Sequence, residues 1–116
     1  MSSDCIFCKI ANGEIPAKKL YEDEQALAFA DINPAAPVHV LVIPKQHIGS
    51  LAEVGESEHE KTLVGHLHGI ASQLARQQNL SKGYRVVMNV GPDGGQTVGH
   101  LHLHLLGGRP MLWPPG

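Results

Sequence analysis

Three histidines occupy every second position in GHLHLHLLGG, residues 99–108, with leucines filling the gaps. In a β-strand successive side chains alternate between faces, so His100, His102 and His104 share one surface while Leu101, Leu103 and Leu105 share the other. A helix would scatter the same imidazoles around its cylinder, and Gly99, Gly107 and Gly108 punctuate the segment as a short strand. The leucine face packs, which frees the histidine face for chemistry. As mere packing, three imidazoles would demand a partner for every ring nitrogen. A neutral imidazole is nucleophilic near pH 7 without a separate base, and attack on phosphorus gives a phosphohistidine-type adduct that water can cleave. The preceding loop, PDGGQTVG, offers backbone amides free of bulky side chains, with Gln96 and Thr97 as further donors to phosphate oxygens. It is not a Walker loop, because no GKS or GKT follows, nor a Rossmann fingerprint, because its glycines lie between strands.

The elements that must position these residues can be read along the chain. Residues 5–11 make a short helix that ends at Asn12-Gly13, and Ile15-Pro16 starts an extended piece. Residues 18–22 and 26–30 read as a hairpin turned at Asp23 and Glu24. After a proline-stiffened loop, VHVLVI at 38–43 is a strong strand signal, with His39 inside it and Pro44 as its stop. Ser57 and Glu60 form a capping box for a long helix whose Leu63, Val64, Leu67, Ile70, Ala71 and Leu74 make an apolar stripe to about Ala75. His66 and His68 lie about 200° apart on that helix, so they share no site and, with His59, read as solvated helix residues. Residues 83–90 are another strand before the glycine loop. The order βββαββ indicates an α+β fold: a central, mainly antiparallel sheet with one long helix and a short N-terminal helix, in a single domain over 1–116.

Composition agrees with a small globular unit: 116 residues, 42% of them hydrophobic, suffice for one core. Nine basic against eleven acidic residues, a formal charge of −2 and no basic run argue against nucleic acid or an anionic membrane as principal partner. MSSDCIFCKI shows no signal-peptide pattern and no stretch reaches transmembrane length, so the expected location is cytoplasmic. In that reducing setting Cys5 and Cys8 read as a metal pair or plain thiols rather than a disulfide.

HLHLHLL at 100–106 resembles the His-φ-His-φ-His-φ-φ signature of the histidine triad superfamily of nucleotide hydrolases and transferases. CIFCKIANGEIPAKKLYEDEQALAFADINPAAPVHVLVIPKQHI, NVGPDGGQTVGH and the terminal WPPG extend the resemblance over essentially the whole chain, to the histidine triad nucleotide-binding protein branch. The resemblance implies a homodimer that hydrolyses purine nucleoside phosphoramidates, such as AMP-linked amines, or acyl-nucleotides. His102 is similar to the nucleophile that forms a covalent nucleotidyl-histidine, His104 to a phosphate-orienting partner, and His39 to the upstream histidine that supports the triad. Asn89, Gly95, Gln96 and Thr97 match the phosphate-binding loop. Thr97 stands where many relatives have serine, which keeps a hydroxyl on a stiffer rotamer. Asp31 matches the ribose ligand, and Ile6, Phe7, Ile10, Phe29 and Ile32 the purine pocket. Trp113 is expected near the partner's active site. Alternatives are a dinucleoside polyphosphate hydrolase, for which WPPG is a poor match, and a non-enzymatic zinc-bearing nucleotide-binding protein.

Many members of the branch lack Cys5 and Cys8, and nucleotide hydrolysis through histidine does not use them. A C-x-x-C pair can grip zinc if two more ligands complete the site. Some relatives with this pair bind zinc through the positions of His47 and His100, which implies a structural metal and leaves His102 and His104 for the nucleotide.

Overall fold

Alternating apolar residues in the central strands build two buried faces at once. The computed structural model describes residues 4–116. Its elements are α1 (Ile6–Ala11), β1 (Lys19–Glu22), β2 (Ala26–Ala30), β3 (Val38–Pro44), a 3₁₀ turn (Leu51–Glu53), α2 (Glu58–Gln77), β4 (Tyr84–Val87) and β5 (Leu103–Gly107). All neighbouring strands pair antiparallel, in the spatial order β1-β2-β3-β5-β4. The α+β expectation therefore holds, including the long helix and the short N-terminal one.

On one face Ala26, Ala28, Val40, Val42, Leu103 and Leu105 pack under α2, against Leu63, Leu67, Ile70, Ala71 and Leu74. The small alanines of β2 let the helix approach. Truncating fully buried Leu67 to alanine would cost roughly 2–5 kcal/mol, the range for such core cavities. On the other face Leu27, Phe29, Leu41 and Ile43 pack with Cys5, Phe7 and Ile10, so α1 covers the sheet opposite α2. That second, smaller core carries the site.

Several local expectations need correction. Ser57 caps α2 by accepting from the Glu60 amide at 3.2 Å, but Glu60 Oε2 accepts from Gln46 Nε2 instead of reaching back, so the box is half made. The helix runs to Gln77. The strand expected over 83–90 stops at Val87, and the histidine strand begins only at Leu103. His100 and His102 precede it because Leu101 donates to the Ile48 carbonyl at 2.6 Å, which ties this stretch to the loop beyond β3. The facial alternation survives nonetheless: Leu101, Leu103 and Leu105 all enter the larger core. Solvation describes exposed His59 and His68 but not His66, whose Nε2 lies 2.6 Å from Asp23 Oδ2 at the β1–β2 turn.

Candidate active site and metal centre

Register brings the first group of residues together. Leu41 of β3 pairs with His104 of β5, and Phe29 of β2 pairs with Leu41, so the three form a row across the sheet. His39, two residues from Leu41, lies on the same face and reaches His104: His39 Nε2 and His104 Nδ1 are 2.9 Å apart. Hydrogen-bond logic then fixes the tautomers. The Ala35 amide can only donate, and it bonds His39 Nδ1 at 3.0 Å, so His39 carries its proton on Nε2. That proton is donated to His104 Nδ1, and the remaining hydrogen of neutral His104 sits on Nε2. Asp31 Oδ2, 3.4 Å from His39 Nε2, steadies the same proton. Burial, reinforced by neighbouring His102 and His39, pushes the His104 pKa down to about 4, against the opposing pull of Asp31. His104 is thus a neutral donor at physiological pH.

His102 is fixed from behind. A carbonyl can only accept, and the His100 carbonyl lies 2.7 Å from His102 Nδ1, so the proton is there and the Nε2 lone pair is free. The Phe7 ring stands edge-on to it, with centroids 5.2 Å apart, and Phe7 in turn meets Phe29 edge-on at 5.7 Å. A cleft of about 370 Å³ opens beside this nucleophilic atom, at the small end of the ligand-pocket range. Ile6, Phe7, Ile10, Phe29, Asp31, Ile32, Thr97, His102 and His104, all expected from sequence, line it. Ile32 is 91% exposed at its rim, an apolar side chain left for something to cover.

Sequence reasoning missed Ile15, Pro16, Ala17, Ala30, Asn33, Leu41 and Val98, which complete the walls. The signal for the Ile15-Pro16-Ala17 wall was present as an extended segment, but nothing local says which way it faces.

The remaining loop residues take a different part. Asn89, Gly95 and Gln96 are absent from the cleft lining. Asn89 Nδ2 donates to the Gly94 carbonyl at 2.7 Å. Gln96 donates to the Gly49 and Val98 carbonyls and accepts from the Gly91 amide. These side chains hold the glycine loop in shape; for Gln96 to contact a phosphate it must release one of those bonds. His39 also stays behind His104 and does not line the cleft. A second cleft of about 460 Å³ between Asn79–Gly83 and Gly108–Pro110 holds no histidine, cysteine or carboxylate and offers no comparable chemistry.

The second group lies immediately behind the first. Cys5, Cys8, His47 and His100 place one donor atom each within 4.8 Å of one another. Cys5 Sγ is 3.2 Å from His100 Nδ1, and Cys8 Sγ is 3.3 Å from His47 Nδ1 and 3.6 Å from His100 Nδ1. Zinc with Zn–S of about 2.3 Å and Zn–N of about 2.0–2.1 Å has a tetrahedral S···N edge of about 3.5 Å, so the spacing fits the metal. His100 is fully buried, and its Nε2 donates to the Pro44 carbonyl at 2.9 Å, which turns the Nδ1 lone pair to the sulfurs. Asp31, His39 and His104 also cluster, but both His39 nitrogens are already engaged, which makes them a proton chain rather than a cation cage.

Comparison with known proteins bears directly on this pairing of a histidine row with a two-faced sheet. The HIT domain family pattern matches residues 12–111. The chain belongs to the HIT domain family. It is 57% identical over 116 residues to an uncharacterized HIT-like protein of Synechococcus elongatus, each chain covered in full. It is 51% identical over 114 residues to a 14 kDa zinc-binding protein of Zea mays, covering 98% of this chain and 89% of that one. Among solved structures, a HIT family hydrolase from Legionella pneumophila superposes with a TM-score of 0.92 at 51% identity, over 97% of this chain and 100% of that chain. As a HIT protein, the chain pairs the histidine row with a Cys/His cluster whose donor spacing could hold a metal.

Proposed function

We propose that this HIT protein is a cytoplasmic hydrolase of purine nucleoside phosphoramidates, such as AMP-linked amines, and of acyl-nucleotides, acting through a covalent nucleotidyl-histidine. The observation that carries the reading is the bond from His102 Nδ1 to the His100 carbonyl, which leaves Nε2 nucleophilic at the wall of an apolar cleft. Attack by Nε2 on the α-phosphorus breaks the phosphorus–nitrogen bond, and the amine leaves with a proton for which the Thr97 hydroxyl is the cleft-lining donor. Water then cleaves the phosphorus–histidine bond and releases the nucleoside monophosphate. His104 Nε2–H donates to a phosphoryl oxygen throughout. Phe7, Phe29, Ile6, Ile10 and Ile32 sandwich the base, and Asp31 accepts from the ribose hydroxyls.

The same proposal includes a structural zinc ion held by Cys5, Cys8, His47 and His100. When bound, zinc would cross-link α1, the end of β3 and the triad segment without taking part in the reaction. The donor geometry and the zinc-binding relative from Zea mays support this part. A homodimer is also proposed, with Trp113 of each tail near the other subunit's cleft. Trp113, Leu112, Tyr84 and Val86 are exposed large side chains along the β4 edge and the tail, and an uncovered edge of this kind gains from a partner.

His102→Ala should abolish turnover of an AMP-amine while AMP still binds, and wild type quenched mid-reaction should carry an adenylylated histidine at 102. An unaffected rate in the variant would overturn the mechanism. Faster hydrolysis of diadenosine triphosphate than of the AMP-amine would favour the polyphosphate reading, and binding without any turnover a non-enzymatic one. Metal analysis should find about one zinc per chain, lost from a Cys5→Ser, Cys8→Ser protein.

A further inference from the structure

Helix α1 has two employments. It is six residues long, has no acidic residue in its first turn, and is capped by a sulfur: Cys5 Sγ accepts from the Cys8 amide at 3.3 Å. Isolated helices shorter than about 12–15 residues are marginal in water, so α1 stands on what its side chains touch. Cys5 and Cys8, one turn apart, meet His100 and His47. Ile6, Phe7 and Ile10, interleaved with them, line the cleft. Phe7 links both groups, edge-on to His100 at 5.9 Å and to His102 at 5.2 Å. The triad segment is divided the same way: the His100 side chain belongs to the sulfur cluster, and its carbonyl holds the nucleophile.

We infer that metal binding at the cluster and nucleotide binding in the cleft are coupled through α1 and His100, so that each ligand strengthens the other. This rests on the zinc and nucleotide readings given above. With metal bound, three of the cleft's apolar walls and the carbonyl behind His102 are fixed before the nucleotide arrives. With metal released, α1 loses its anchor at both cysteines, and nucleotide binding has to order it. His100 and Cys5 are positioning residues in this scheme, because they act on the site through His102 and Phe7.

Linkage makes the coupling measurable without any turnover, since the factor by which zinc tightens AMP must equal the factor by which AMP tightens zinc. Calorimetric titration with AMP should give an affinity about tenfold or more higher for zinc-loaded than for chelator-treated protein, with far-UV dichroism showing both folded. Zinc affinity, from competition with a chromogenic chelator, should rise by the same factor in saturating AMP. Should the chelated wild type unfold, His47→Ala replaces it. That variant keeps three donors and every cleft residue, and its AMP affinity should climb with zinc over a higher concentration range than in wild type. Equal AMP affinity with and without zinc would overturn the coupling and leave both parent readings standing. Absence of AMP binding in either state would overturn the nucleotide reading, and absence of zinc uptake the metal reading, each taking the inference with it.

Discussion

His39 Nε2 and His104 Nδ1 stand 2.9 Å apart, joined across the two central strands by a bond whose direction is set by the Ala35 amide three residues before β3. A backbone N–H thereby dictates, through two imidazole rings, which nitrogen of His104 presents a hydrogen to the cleft.

Removing the middle of that chain should free His104 to adopt either tautomer. His39→Ala is expected to lower kcat/KM on an AMP-amine by on the order of 10²-fold, mostly in kcat, as a misplaced group costs orientation more than binding. His39→Gln, whose amide can still donate to His104, should recover part of the loss. A proportional rise in KM with kcat unchanged would show that His39 serves binding instead.

His104 also leaves a mark on stability. Its folded pKa of about 4 lies below the ordinary 6.5, so between these values the unfolded chain takes up a proton that the folded chain refuses. Stability therefore falls as pH drops from about 6.5 to 4, by roughly 3 kcal/mol at most for this one group and less once its partial exposure is allowed for. Urea unfolding of wild type and His104→Gln across that window should show the steeper decline in wild type. Parallel curves would refute the assignment.

The Tyr21, Asp23 and His66 contact lies on the far side of the sheet from the cleft. Burial would raise the Asp23 pKa, but bonds from Tyr21, His66 and the Gln25 and Ala26 amides outweigh it and hold the carboxyl at about 2. A depressed acid stabilises the fold above its unfolded pKa of about 3.8 and ceases to as pH falls towards 2. Asp23→Asn should cost about 1–2 kcal/mol at pH 7, discounted for partial exposure, with the gap to wild type closing below pH 4 and phosphoramidate turnover unchanged.

Arg85 ties down the far part of the C-terminal tail: it donates to the Leu112 carbonyl at 2.7 Å and to that of Pro115 at 3.4 Å. Trp113 is the sole tryptophan of the sequence, so its fluorescence reports the tail alone. Arg85→Ala should lower Trp113 anisotropy, and if the tail reaches a partner subunit, sedimentation should show weaker dimerisation in the same variant. Unchanged anisotropy would mean that something else secures the tail.

Legibility in the sequence followed the range of the interactions involved. The alternation in 99–108, the strands read at 26–30 and 38–43, the latter running one residue further to Pro44, and the Ser57 cap depend on near neighbours, and each was readable. The Ile15-Pro16-Ala17 wall was not, since its facing is set by a sheet that only the whole chain defines. His66 looked solvated because its partner, Asp23, is 43 residues away. Gln96 looked like a free donor because the carbonyl that occupies it, Gly49, lies in a loop after β3 with no pattern of its own. The late start of β5 has the same origin in the Leu101 to Ile48 bond. The family resemblance supplied roles for His102 and His104 that spacing alone left open.

The smaller core of Phe7, Ile10, Phe29 and Leu41 is continuous with the cleft floor, so a ligand bound in the cleft packs directly onto that core. A flat ring seated there would extend it, and the chain's melting temperature would then rise with the logarithm of ligand concentration, by about 2.7 kcal/mol of added stability at a hundredfold excess over Kd. Inside a cell the lifetime of such a protein against proteases becomes a reading of how much nucleotide surrounds it.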